Sequence, residues 1–284
     1  MSRTWLALDV NYLTWRAFHV FGGLSHGGVG TGVVYGVLKD VVSLCDTHAS
    51  TNLVFCFDHG RELKRKEVFP GYKARRHGKV MTEDEKQVYQ DVQRQINLMK
   101  TEYLPYLGFE NVFYQDGYEA DDIIASVCDN TPAKDEVVVV SGDKDLLQLL
   151  SARVFVWQPT HRQVTTVKTF QDKYYGLHPQ HWARVKAIAG CSTDDVPGVK
   201  GVGDATAAKF LMGLKTNKAD EIEAWLVSNQ YRKNLDLVRL PYTGTPDYPP
   251  VQDMVDTKCW RKLTTRLGMK SLADLAPRPV EGFG

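Results

Sequence analysis

The 284-residue chain is poor in cysteine, and its five thiols, Cys45, Cys56, Cys128, Cys191 and Cys259, stand far apart with no CxxC spacing. That pattern disfavours a structural zinc site and a disulfide framework, so reduced thiols are expected. No stretch approaches the ~20 apolar residues that a membrane-spanning helix needs. The opening MSRTWLALDVN runs straight into a strand pattern without the apolar core of a secretion signal. A cytoplasmic protein with no membrane partner is the expectation. No low-complexity tract dominates, and 43% hydrophobic with 24% charged residues is ordinary for a globular chain. The length suits one large core plus a smaller subdomain. Excess charge of one sign is also lacking, at a net +1, but that sum hides opposites: Arg61 to Lys79 holds eight Lys/Arg against two Glu, while acids cluster elsewhere. Near-neutrality therefore does not exclude a nucleic-acid partner.

Three unbroken apolar runs end at acids: Trp5 to Leu8 before Asp9, Leu53 to Phe57 before Asp58, and Val137 to Val140 before Ser141-Gly142-Asp143. Runs of this kind suit the buried strands of a parallel sheet, and residues just beyond such strands fall at its carboxyl edge, where open α/β sheets place their sites. Helical patterns lie between, at 32–45, 83–107 and 120–129, and further strands are expected at 109–114 and 153–157. The alternation predicts an α/β class with a mostly parallel central sheet flanked by helices. From about Leu177 a helix runs through Ile188. A loop with three glycines in six residues, Gly198, Gly201 and Gly203, then leads into a helix over 204–212. A Pro-rich stretch over 241–250 reads as a linker or wrap, followed by a short helix at 259–267.

Eight carboxylates in five clusters carry the chemistry: Asp9; Asp58; Glu119 with Asp121 and Asp122; Asp143 with Asp145; and Asp194. Alone, Asp9 or Asp58 reads equally as a helix cap or surface acid, and Asp143-Lys144-Asp145 as a capped turn. Three acids in four positions at the start of the 120–129 helix exceed what a helix terminus needs, and such a set would repel unless compensated. Hard divalent cations with oxygen ligands, Mg²⁺ or Mn²⁺, are the natural compensation, and two close together point to phosphodiester hydrolysis. No histidine is required as a base, and His19, His26, His59 and His77 read as surface or packing residues.

The basic segment interleaves cations and aromatics: Arg61, Lys64, Arg65, Lys66, Phe69, Tyr72, Lys73, Arg75, Arg76 and Lys79. Lys and Arg can neutralise phosphates while an aromatic ring stacks on a frayed base. Tyr72 reads either as such a ring or as packing. The glycine loop, with Lys209 after it, offers backbone N–H groups to a duplex backbone or is a simple turn.

Several strings resemble the 5′ nuclease, or flap endonuclease, superfamily, especially bacterial and phage 5′-3′ exonucleases and the amino-terminal domain of bacterial DNA polymerase I. They are Leu8-Asp9-Val10-Asn11 with Arg16-Ala17-Phe18, Phe57-Asp58, Tyr72-Lys73-Ala74-Arg75-Arg76, Glu119 to Ala125, Ser141 to Leu146, and Asp194 to Gly203. Six strings in the family's order, over roughly residues 4 to 213, are very specific. The resemblance implies a nuclease core over 1–175 that includes a basic helical arch or clamp at about 61–106. It also implies a helix-hairpin-helix (H3TH) subdomain over 176–240 and a C-terminal wrap or tail over 241–284. It implies a metal-dependent 5′-3′ exonuclease and flap endonuclease acting on duplex DNA with 5′ ends or 5′ flaps, RNA-primed ones included, and leaving 5′-phosphate and 3′-hydroxyl ends. One ion would use Asp9, Asp58, Glu119 and Asp121 or Asp122, with Asp143 shared; the second would use Asp143, Asp145 and Asp194. Lys73 and Arg76 would steer the scissile phosphate. Arg65, Lys66, Tyr72, Arg75, Gly198, Gly201, Gly203 and Lys209 would join them in holding DNA. A free-standing bacterial or phage nuclease, acting as a monomer, is the expectation.

One departure stands out. Relatives carry Gly-Asp-x-x-Asp before the hairpin, whereas here Cys191 takes the first acid's place and Asp194 the second, with Asp195 where relatives often have Asn. A thiol in place of a hard carboxylate weakens a Mg²⁺ site, although a softer ion tolerates it. Two rival readings remain: a PIN-like ribonuclease, against which the basic insert and glycine loop argue, and a DNA-binding relative with weakened turnover.

Overall fold

The computed structural model describes residues 2–60, 62–75 and 81–278. The apolar runs are strands: β1 (Thr4–Asp9) first, and, after a two-rung ribbon of β2 (Ser25–His26) and β3 (Val29–Gly30), β4 (Asn52–Cys56). Strands β5 (Val112–Phe113), β6 (Glu136–Val140), β7 (Val154–Gln158) and β8 (Gln163–Thr165) complete the set. Six of them form one sheet in the order β5-β4-β1-β6-β7-β8. Neighbours are parallel except for β8, which returns antiparallel along β7. The chain therefore moves outward from β1 on one side, through β4 to β5, and then restarts on the other side at β6. Such a reversal opens a crevice at the strands' carboxyl ends.

Side chains alternate across the sheet with period two. Leu6 and Leu8 of β1 enter one core, with Leu53 and Phe55 of β4. Helices α1 (Val10–Phe21), α2 (Gly32–His48) and α4 (Glu83–Leu98) cover that face, α3 being the short Leu63–Val68. Trp5 and Ala7 enter the other core with Val137 and Val139, under α5 (Ala120–Asn130), α6 (Val167–Lys173) and α7 (Trp182–Ala189). The third cluster is small and joins Tyr72 to Ala183, Ala187, Val196, Leu237 and Val238. It lies between the basic segment and the helical unit of α7, α8 (Asp204–Leu211), α9 (Ala219–Leu226) and α10 (Asn229–Val238).

Several expected elements are shorter than their sequence patterns. The helix expected over 83–107 is α4, a π-helical turn (Met99–Tyr103) and a last piece, Leu104–Tyr106. The wide turn ends two residues before Pro105, which has no N–H to donate to the preceding turn. The leucine-rich stretch after Asp143 is a five-residue 3₁₀ turn, Asp145–Leu149. The strand expected over 109–114 is two residues long, because the backbone N–H groups of Glu110 and Asn111 are taken by Asp253 Oδ2. Residues 240–256 are an extended strap. Tyr242 N donates to Asp122 Oδ1 at 2.9 Å, Val251 N to Asn111 Oδ1 at 2.8 Å, and Asp256 N to Leu107 O at 2.9 Å. The strap ends in α11 (Thr257–Arg266), which buries Trp260 in the first core. Among the described residues, no helix is long and apolar enough to cross a membrane.

Candidate active site

Seven of the eight acids meet in one cleft of about 210 Å³ at the sheet's carboxyl edge: Asp9, Asp58, Glu119, Asp121, Asp143, Asp145 and Asp194. Backbone geometry fixes most of them. Asp9 ends β1 and caps α1, accepting from Tyr12 N at 3.0 Å, while its other oxygen accepts from Ser141 Oγ at 2.7 Å. Ser141 Oγ also accepts from Asp143 N, and Asp143 Oδ1 accepts from Asp145 N at 2.7 Å. Asp58, just past β4, accepts from Ala120 N at the start of α5 at 2.8 Å and from Asn11 Nδ2 at 3.0 Å. One hydrogen-bonded seam thus ties the ends of β1, β4 and β6 to α5.

The cleft holds more negative charge than its protein surroundings support. Burial pushes the Asp9 carboxyl up to about 7, against hydrogen bonds from Tyr12 and Ser141, and Asp58 and Asp143 push the same way. Burial, then Asp143 and Asp9, carry Asp121 well above the carboxylate range. Asp145 rises to about 6 through burial and Asp143, with Lys186 opposing. Asp58 also rises, from the protein packed around it and from Glu119, but its side chain is open to water, which screens the effect. An array of hard oxygen donors that repel one another is what divalent cations satisfy, so these residues fit such ions. At one end the donor atoms of Asp145, Cys191 and Asp194 all lie within 4.8 Å of one another, a metal-binding site of mixed sulfur and oxygen character.

Among the described residues Lys73 and Arg65 line the cleft, and Lys186 reaches Asp145 from outside it. Lys73, buried, donates to Glu119 Oε1 and stands 3.8 Å from Asp194 Oδ1; its backbone N donates to Asp194 O at 2.9 Å. Tyr72 Oη donates to Glu119 Oε2 at 2.8 Å. Burial raises Glu119, but Lys73 and Arg65 more than reverse it, and its carboxyl ends below the usual range. Lys186 Nζ lies 3.1 Å from Asp145 Oδ1.

Two expectations need correction. Asp122 is fully buried beside the cleft and does not line it; both of its oxygens are held by Arg65, at 2.6 and 2.8 Å. Of the alternatives Asp121 and Asp122, the structure brings Asp121 to the acids. Arg65, expected on the DNA surface, is 2% exposed, gives its Nε–H to Leu237 O, and lies 4.8 Å from the Tyr242 ring centre. The reason is helical phase: a basic run specifies charge, not direction, and α3 turns this one guanidinium inward. Tyr72 is buried in the third cluster and also lines the cleft. Lys66 pairs with Glu62 at 3.1 Å, and the exposed Arg75 pairs with Asp195 and donates to Ser192 O at 2.9 Å. Arg76, like Arg61, His77 and Lys79, lies outside the described residues.

The glycine loop joins α7 to α8. A Cβ on Gly198 would stand 2.1 Å from Ala189 O, and Gly201 has φ +79°, so neither position admits a side chain cheaply. Gly203 precedes α8 without a side-chain cap, and Lys209 on that helix lies 5.1 Å from the Tyr175 ring centre. Sequence reasoning missed Asn234, fully buried, whose amide donates to Ala187 O and Pro197 O and so pins the loop. It also missed Trp15 and Tyr89, both exposed, with rings stacked at 6.1 Å. Both line a hollow of about 780 Å³ that also holds His59, Lys86 and Lys100, and Trp15 lines the cleft beside it as well. A signal existed for Trp15: it lies six residues past Asp9 on an amphipathic helix, yet is apolar on the open side.

Fold and crevice together define a doubly wound α/β protein with a carboxylate-lined crevice at its topological switch point. The chain belongs to the 5′-3′ exonuclease family, whose N-terminal resolvase-like domain matches residues 4–175. It is 33% identical over 313 residues to DNA polymerase I of Mycobacterium tuberculosis, covering 99% of this chain and 33% of that protein. It is 34% identical over 220 residues to the 5′-3′ exonuclease of Bacillus subtilis, covering 74% and 70%. Its fold is that of the bacteriophage T5 flap endonuclease, solved as a pseudo-enzyme-product complex with DNA and metal ions, at TM-score 0.69, 20% identity, and 97% and 100% coverage. The chain thus spans about a quarter to a third of the polymerases it matches.

Proposed function

We propose that this chain is a divalent-metal-dependent, structure-selective 5′ nuclease that hydrolyses DNA phosphodiesters near 5′ ends and 5′ flaps, RNA-primed ends included. The observation that carries the reading is the convergence of seven carboxylates on one cleft, beside a buried lysine and an open hollow. Family membership and the T5 enzyme's complex with DNA and metal ions support it. The ions are Mg²⁺ or Mn²⁺ in the main group of Asp9, Asp58, Glu119, Asp121 and Asp143, with a second ion near Asp143, Asp145 and Asp194. When bound, such ions supply Lewis acidity that readies water as a nucleophile and offsets charge on the phosphodiester. The chain's residues hold the rest in place. Ser141 and Tyr12 orient Asp9, Asn11 orients Asp58, and Lys73 with Tyr72 orients Glu119. Lys73 also brings positive charge beside the reacting phosphate, with Arg76 as its partner in the arch over about 61–106. The glycine loop and Lys209, within a helix-hairpin-helix unit over 176–240, take the duplex backbone without reading bases. The Trp15 and Tyr89 rings are the stacking surface for unpaired bases. A monomer suffices, since all of these groups come from one chain.

The deciding assay incubates the chain with a 5′-labelled flap, a blunt duplex and single-stranded RNA in Mg²⁺ or Mn²⁺. Cleavage of the flap and duplex with 5′-phosphate products is expected, and Asp143→Ala abolishes cleavage while retaining DNA affinity. Cleavage of RNA alone would favour a PIN-like ribonuclease. Binding of DNA without turnover under either ion would mark a relative that has lost catalysis. Undiminished cleavage by Asp143→Ala would reject the metal assignment.

A further inference from the structure

Three lysines among the described residues are buried, Lys73, Lys100 and Lys186, and one of them lacks a counter-ion. Burial pulls Lys73 and Lys186 down, yet the carboxylates they face, Glu119 and Asp145, leave both above the ordinary lysine value. Lys100 has no carboxylate within ion-pair reach among the described residues, and burial holds it below that value against the more distant Asp116 and Asp58. A lysine is seldom buried unless paired, and an ammonium shut from water without an anion beside it is costly. Its Nζ donates to His59 Nδ1 at 2.7 Å and stands 4.8 Å from the Tyr114 ring centre. An ammonium only donates, so the imidazole accepts and holds the Lys100 head in place without neutralising it. Lys100 stands in the π-helical turn, Met99–Tyr103, a wide turn of the kind that recurs at functional sites. It lines the hollow of about 780 Å³, a volume within the ~300–1,000 Å³ of ligand pockets. Lys86, Tyr89, Gln93 and Asn97 precede it on the same wall at helical spacings of three and four residues. Asn11, Trp15 and Asp58 line both this hollow and the acid cleft. The acids of the hollow are engaged elsewhere: Asp58 accepts from Ala120 N and Asn11 Nδ2, and Glu62 pairs with Lys66 at 3.1 Å.

We propose that Lys100, braced by His59, anchors one backbone phosphate of the unpaired 5′ strand, beside the bases that stack on Trp15 and Tyr89. A single strand is the occupant because the wall sets rings and cations side by side, and each unpaired nucleotide offers a π face together with a phosphate. A duplex keeps its bases paired and offers the phosphates alone. Lys100 reaches no reacting atom; by gripping one phosphate it sets how far the strand is drawn past the acid cleft. The inference deepens the nuclease reading and takes from it only the identity of the strand.

The test binds the full chain, in chelator, to a fluorescent duplex with a 5′ flap in which a single neutral methylphosphonate linkage is walked outward from the junction. One linkage should stand out with the wild-type chain, weakening affinity by about 10-fold, the low end for a lost hydrogen bond to a charged group. Lys100→Met should lose a similar factor on the unmodified flap, lower the salt slope by ~0.7, and lose nothing more at that linkage. Lys100→Gln is the second variant, expected to match it. A flat profile along the flap, or variants that stay equally sensitive at that linkage, would overturn the inference. Equal weakening of a blunt duplex by Lys100→Met would do so too, by placing the lysine against paired DNA. If the loss in Lys100→Met vanished on a flap ending in a 5′-hydroxyl, the site would read a terminal phosphate and the backbone assignment would fall. A flat profile alongside flap cleavage in Mg²⁺ would sink this inference and spare the nuclease reading; one Lys100-dependent linkage with no cleavage under any ion would do the reverse.

Discussion

Arg65→Met separates a structural arginine from a DNA-binding one. In the folded chain the guanidinium makes two hydrogen bonds to Asp122, one to Leu237 O, and stands 3.2 Å from Glu119. Methionine keeps the length of the side chain and removes the charge. Asp122 would remain fully buried, with only the backbone N–H groups of Glu119 and Tyr242 as donors. Removing one partner of a buried pair costs about 3–5 kcal/mol, most of it the uncompensated charge left behind. For a chain of this size each kcal/mol moves Tm by roughly 2 °C, so a fall of about 6–10 °C is expected. Calorimetry in chelator measures it without interference from metal binding. Adding Asp122→Leu should recover much of the loss, because the orphaned charge goes with it. DNA affinity, measured well below the transition across a salt series, should keep its salt slope. A phosphate contact would instead lower that slope by ~0.9 on removal of the arginine. An unchanged Tm together with a reduced slope would refute the assignment of Arg65 to the interior.

Three further outcomes are expected. Asp9, Asp121 and Asp145 are raised above the ~3.9 of an unfolded aspartate. Their contribution to metal-free stability is therefore complete below about pH 4 and lost as pH rises through the raised values, about 6 for Asp145 and about 7 for Asp9. The gap in Tm between Mg²⁺-loaded and chelated protein should consequently widen from pH 5 to pH 8, and a gap that narrows would contradict the charge crowding described. Gly198→Ala should cost about 1–3 kcal/mol of stability, the usual penalty of overpacking, and weaken duplex binding; a urea melt coinciding with wild type would show that the Gly198 backbone contact is dispensable. Trp15→Ala should weaken affinity for a single-stranded flap by ~1–3 kcal/mol per stacked base while leaving blunt-duplex affinity intact, and equal loss on both substrates would argue against stacking.

Much of this was readable in the residues. Val137 to Val140 and the runs ending at Asp9 and Asp58 needed only period and length to become parallel strands. Acids placed just after strands must share an edge whatever the helices do. What could not be read was direction within a charged run. Arg65, Lys66, Lys73 and Arg75 look alike in sequence, yet one is interior, one pairs along its own helix, one enters the cleft and one binds the neighbouring loop. Asp121 and Asp122 pose the same difficulty, since adjacent positions on a helix point about 100° apart. Helices α9 and α10 escaped notice because their acids, Asp220, Glu221, Glu223 and Asp236, are exposed and follow no strand pattern. Their role emerges only through Asn234 and the Leu237 carbonyl.

The basic segment's anchorage has a consequence for how the molecule can be divided. Arg65 on Leu237 O, Lys73 N on Asp194 O, Arg75 on Asp195 and the Tyr72 cluster rivet residues from the first third of the chain to helices beyond residue 175. A boundary drawn at that residue marks the extent of a shared ancestral pattern rather than a unit able to stand alone. A fragment ending there would bare the apolar underside of its own cationic strap and lose Asp194. Evolution can append a further domain to such a fold far more readily than it can trade one half of it for another.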